Sequence, residues 1–118
     1  MADAKKVIDW EQMDMIADGF SPEFVDICRE FAGEIPRLFD VLEAVCEAND
    51  IAKAARVAHQ IKGSASNFGF AGVSAPMAAL ESAAKAGSLA GASARIEQAR
   101  ANFDQARAEI LEKRCIQL

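Results

Sequence analysis

His59 is the only imidazole in the chain, and it lies in the run Ala58-His59-Gln60-Ile61-Lys62-Gly63-Ser64-Ala65-Ser66-Asn67-Phe68-Gly69. An imidazole offers a nucleophilic nitrogen, and a cation held beside it stabilises the charge on a phosphoryl group during transfer. On an α-helix, Lys62 and Gly63 fall one turn after His59, and Ser66 falls two turns after it. A nucleophile, a cation and a bare patch for an approaching partner then share one face. That set suits a side chain that accepts a phosphoryl group and hands it on. It does not suit a hydrolase or a metal centre, which need more partners than one histidine supplies.

At about 100° per residue, Ala52, Ala55, Arg56, Lys62, Gly63 and Ser66 all lie within about 60° of His59. The apolar residues Ala54, Ile61, Ala65 and Phe68 centre on the opposite side, so His59 points to solvent. A lone exposed histidine is often a solvated residue with no role. Two features argue for one here. Small residues surround His59 where long polar side chains are the rule, and Gly63 costs ~1 kcal/mol relative to alanine inside a helix. Close approach of another protein accounts for both.

The elements that must position this face are helices. Apolar residues recur in steps of three and four: Phe24, Cys28, Phe31, Ile35, Leu38, Leu42, Val45; then Ile51, Ala54, Ala58, Ile61, Ala65, Phe68. Val73, Met77, Leu80, Ala84 and, last, Leu89, Ala92, Ile96, Ala99, Phe103, Ala106, Ile110 continue the pattern. Four such stripes bury one another best around a common core. The expected fold is all-α: an antiparallel up-down-up-down four-helix bundle in one domain spanning residues 1–118. A short additional helix, about Asp9 to Asp18, covers one end through Trp10, Met13 and Ile16.

Local signals mark the connections. Ser21-Pro22 reads as an N-cap with proline at the first helical position, and Asn49-Asp50 as a turn that caps the third helix. Gly69 to Gly72 breaks the pattern, and Gly87-Ser88 reads as a stop followed by a new cap. Pro36 is expected to interrupt and kink the second helix. Pro76 suggests a late start for the fourth, with Ser74 as its cap.

Composition narrows the function further. The 118 residues carry a formal charge of −5, which argues against nucleic acid as a partner. No apolar stretch approaches the ~20 residues that cross a bilayer, and Met1 to Lys6 lacks the order of a secretion signal. Cys28, Cys46 and Cys115 lie far apart with no CxxC pair, which reads as reduced small hydrophobes on helices and a cytoplasmic location. With 52 % hydrophobic residues, 7 Gly, 3 Pro and no Thr, the chain favours packed helices over sheet. Polar outer faces favour a monomer.

The run from Ala58 to Gly69 closely resembles the signature of histidine-containing phosphotransfer (HPt) domains of bacterial two-component phosphorelays. The resemblance extends from about Asp9 to Glu112, through the Pro-Glu-Phe entry to the second helix, the acidic turn before the third and Leu80-Glu81 in the fourth. It implies that His59 is the phosphorylation site and that Lys62 and Gly63 match the family's lysine and helix glycine. It further implies that Glu81 hydrogen-bonds the ring, fixing the proton on Nδ1 and leaving Nε2 free to attack. The implied partners are receiver domains, one on a hybrid sensor kinase and one on a response regulator. Ala52, Ala55 and Phe70, with Arg56, Gly63 and Ser66, are the candidate docking and binding residues. Phe68 and Phe70 stand where smaller aliphatic residues are common in the family, and Pro76 is unusual inside that helix.

The chain is thus expected to be a phosphocarrier without kinase activity of its own. It has no glycine-rich phosphate loop and no clustered carboxylate metal site, so no cofactor is expected and Mg2+ belongs to the receiver. A non-phosphorylated helical docking module is the principal alternative. The phospho-accepting module of a chemotaxis-type kinase, or a purely structural bundle, would be the others.

Overall fold

The computed structural model describes residues 7–17 and 19–118, so the readings made of Met1 to Lys6 and of Asp18 lie outside the described residues. Within them the chain forms five helices and no strand: α1 (Trp10–Ala17), α2 (Pro22–Glu47), α3 (Ile51–Phe68), α4 (Ala71–Lys85) and α5 (Ala92–Arg114). Helix α2 packs on α3, α3 on α4, α4 on α5, and α5 back on α2, while α1 touches α3. The architecture is the expected antiparallel four-helix bundle with a short N-terminal helix. No helix among the described residues is long and apolar enough to cross a membrane.

The four stripes meet in the interior. Phe24, Cys28, Phe31, Ile35, Leu38 and Leu42 of α2 are buried, with Val73, Met77 and Leu80 of α4 and Ile96, Phe103 and Ile110 of α5. Helix α3 contributes Ala54, Ala58, Ile61 and Ala65, and three of these four are alanines that bring its backbone close to its neighbours. Burial pushes the Cys28 thiol up to about 11, so this cysteine is an inert core residue. Cys115 departs from the expected pattern: it is exposed just beyond α5.

Three helix ends close in the same way. Past α2, the amides of Asn49 and Asp50 bond back to the Cys46 and Val45 carbonyls, with Asn49 at φ 57°. Gly69 and Phe70 repeat this on Ser66 and Ala65, and Gly87 and Ser88 on Ala84 and Ala83. Each pair of bonds satisfies carbonyls that the helix would otherwise orphan. Side-chain caps sit at the starts of α2 and α3: Ser21 Oγ accepts from the Phe24 amide at 3.2 Å, and Asp50 Oδ1 from that of Lys53 at 3.2 Å.

Several local expectations are corrected. Helix α1 starts at Trp10, with Asp9 Oδ1 accepting from the Gln12 amide, and buries Met13 and Ala17 while Ile16 stays exposed. Pro36 does not divide α2, which continues as one helix. The break after α3 is much shorter than Gly69–Gly72, because α4 begins at Ala71 with Phe70 as its N-cap. Ser74 is therefore inside α4 and donates its hydroxyl to the Ala71 carbonyl. Ser88 accepts from the Ala90 amide but does not cap α5, which starts after Gly91. Leu89 consequently lies before α5, half-buried against the core.

Pro76 sits inside α4 and lacks the amide that would bond to the carbonyl of Gly72. Asn102 of α5 fills that vacancy: its Nδ2 donates to the Gly72 carbonyl at 2.9 Å. The same glycine is needed for space, since a Cβ there would lie 2.9 Å from the Val7 Cα, and its amide donates to the Val7 carbonyl. A helix-breaking residue is thus turned into a tie between helices. Asn102→Ala should lower the unfolding free energy by about 1–2 kcal/mol, and by less in a Pro76→Ala background, where the new amide can serve Gly72. Equal losses in both backgrounds, measured by urea unfolding, would show that Asn102 stabilises the fold by some other route.

Candidate functional site

Helix α3 presents His59 outward, with 65 % of its side chain exposed. The stripe Ala54, Ala58, Ile61 and Ala65 fixes the opposite side of the helix in the core, so the orientation of His59 follows from the burial of that stripe. Across the α3–α4 interface stands Glu81, the one buried charged residue among those described, with 6 % of its side chain exposed. Val73, Met77, Leu80 and Ala84 anchor α4 in the core and set Glu81 beside α3.

The Glu81 carboxylate gathers three donors. Lys62 Nζ lies 2.8 Å from Oε1, while Lys85 Nζ and His59 Nδ1 each lie 2.9 Å from Oε2. Burial by itself would raise the carboxyl's pKa. The Lys62 hydrogen bond outweighs it, with those of Lys85 and His59 adding, and holds Glu81 at about 2 against an ordinary 4.5. A carboxylate ionised at neutral pH only accepts hydrogen bonds. In the neutral ring Nδ1 therefore carries the proton, and Nε2 is the nitrogen with the free lone pair.

Beside the ring is an open hollow of about 600 Å³. Ala55 and Val57 form its apolar floor, and Lys53, Arg56 and Lys85 stand around it with Gln60. Lys53, Arg56 and Lys85 share this hollow with His59, and Lys62 reaches Glu81 beside it, on a chain whose net charge is −5. The patch is suited to an anionic group brought by a partner.

The other residues expected at the site divide. Ala52, Arg56, Gly63 and Ser66 are exposed, Ala55 and Lys62 half-buried. A Cβ at Gly63 would meet nothing within 4 Å among the described residues, so the described fold makes no demand for glycine there. Ser66 lines a separate hollow of about 440 Å³ with Asp9, Gln12 and Asn67, and is not brought into the one beside His59. Phe70 is a correction. It is fully buried, its ring centroid 5.0 Å from that of Phe31 and 5.9 Å from that of Phe103, and it takes no part in a docking surface. The one-residue connection after Gly69 turns its side chain into the core.

Sequence reasoning missed Lys85. Its signal was present as an i, i+4 Glu-to-Lys pair, a spacing that is common on solvated helix faces and so stands out little. Only the packing of α4 against α3 reveals that this pair closes on His59.

The model of the Hpt domain matches residues 26–109, well over half of the chain, and the protein belongs to that family of histidine-containing phosphotransfer domains. Its function is therefore histidine phosphotransfer within two-component signalling, in which Hpt domains interact with receiver domains. No curated protein and no solved structure matches the chain.

Folding holds the Glu81 carboxyl near 2, whereas the unfolded chain titrates it near 4.5. Between those values the unfolded state binds more protons, so stability rises with pH across the window and is lost as pH falls through it. Glu81→Gln should lower the urea midpoint above about pH 4.5, and the two proteins should converge as pH approaches 2. A constant difference across that range would mean that ionisation of Glu81 contributes nothing to stability.

Proposed function

We propose that His59 accepts a phosphoryl group from the aspartyl phosphate of one receiver domain and donates it to the aspartate of another. The observation that carries this reading is the Nδ1 contact with Glu81 at 2.9 Å on a side chain that is 65 % exposed. In the neutral ring that contact puts the proton on Nδ1 and leaves Nε2 as the nucleophilic nitrogen for a partner docked on α3. As the N–P bond forms, the acyl phosphate O–P bond breaks and its electrons leave with the receiver carboxylate. The proton stays on Nδ1, so the ring becomes cationic while Glu81 stabilises it. Lys62, one turn along, stabilises the phosphoryl oxygens, and Arg56 adds to the local positive potential.

The reading gives this chain no metal or cofactor, the Mg2+ belonging to the receiver, and it gives the chain no kinase activity. The receiver's contact surface is the α3 face of exposed Ala52 and Gly63 and half-buried Ala55, whose small size lets a second backbone come close. The protein acts as a cytoplasmic monomer between the receiver of a hybrid sensor kinase and that of a response regulator.

Incubation with a phosphorylated receiver should place an acid-labile, base-stable label on the wild-type chain and none on His59→Gln. A wild type that binds the receiver but takes no label would make the protein a docking module instead. Ala55→Glu should slow transfer at least about tenfold through a clash and a charge at the contact surface, with an unchanged circular dichroism spectrum. Transfer at the wild-type rate would remove Ala55 from the contact surface.

A further inference from the structure

Glu81 is buried and ionised, yet two of its three partners have work of different kinds. Lys62 is the cation one turn from His59, and a phosphoryl group on Nε2 would compete with Oε1 for its ammonium. Leaving Oε1 would strip a buried carboxylate of its principal partner, an arrangement that is strongly unfavourable where no other cation remains. Lys85 is such a cation. It reaches Oε2 from the next turn of α4, with 67 % of its own side chain in solvent.

We infer that Lys85 is a positioning residue that holds Glu81 while Lys62 transfers its contact to the phosphoryl group, thereby favouring the phosphohistidine state. The inference rests on the reading of His59 as the phosphoryl acceptor. Before transfer, Glu81 and the two lysines sum to one positive charge beside a neutral ring. After it, the ring carries one positive charge and the phosphoryl group two negative ones. The surplus cation is then balanced by the group's arrival. Without Lys85, Lys62 is divided between two anions, and the phosphorylated state is the one that loses.

The test is the equilibrium distribution of the phosphoryl label between a receiver and this protein, approached from both directions. A residue that only touches the receiver alters forward and reverse rates by the same factor and leaves that distribution unchanged. Lys85→Met should shift it about two- to fivefold toward the receiver, the range expected for a solvent-exposed charge pair, and the shift should shrink at high salt. Lys85→Arg, which keeps the charge, should restore most of it. An unchanged equilibrium for Lys85→Met, beside a wild type that labels normally, would overturn the inference alone. A wild type that takes no label on His59 would remove the reading beneath it as well.

Discussion

A single ionised carboxylate inside the α3–α4 interface governs the chemistry of this protein. Glu81 is nearly sealed from water, and a buried charge persists only when its oxygens are occupied. Lys62, Lys85 and His59 occupy them at 2.8–2.9 Å. The demand runs in both directions. The donors keep Glu81 ionised, and the ionised oxygen dictates which ring nitrogen bears the proton. The tautomer of the neutral imidazole and the meeting of Lys62 and Lys85 beside it both follow from the burial of one glutamate on a neighbouring helix.

That arrangement tolerates little slippage between α3 and α4, and the surrounding fold supplies the register. Gly69 ends α3 at φ 81°, and a Cβ there would stand 2.8 Å from the Asp9 carbonyl. The Gly69 carbonyl in turn accepts from the Asp9 amide, so the entry to α1 is laced across the α3–α4 turn. Asn102 binds α4 to α5 at the carbonyl that Pro76 leaves free. At the C-terminal end of α5, Arg114 pairs with Asp14 at 3.0 Å and lies 4.6 Å from the Trp10 ring centre, which seats α1. The accessory helix, the Gly69 turn and the Asn102 bond to the Gly72 carbonyl thus brace the pair of helices that carries the site.

Much of the bundle was legible because its signals are periodic and local. The stripes of α2 and α3, the Ser21 and Asp50 caps and the outward direction of His59 all follow from spacing within one helix. The readings that failed needed knowledge of a neighbour. Phe70 looked like a surface residue after a glycine break, but the turn is only two residues long and Phe31 and Phe103 receive the ring. Ser74 before Pro76 looked like a helix start, because the chain gives no sign that Asn102, 26 residues later, relieves the proline's missing bond.

By itself the sequence determined the helices, the family signature around His59 and the exposure of that histidine, since each depends on residues within a few turns of one another. It brought Glu81 into consideration only through a resemblance, and it left Lys85 as one more lysine on a helix surface. Tertiary structure decided that both lysines and the ring meet on one carboxylate. The reason is physical: the pKa and hydrogen bonding of Glu81 depend on burial and on charges across a helix interface, and neither quantity exists until α3 and α4 pack.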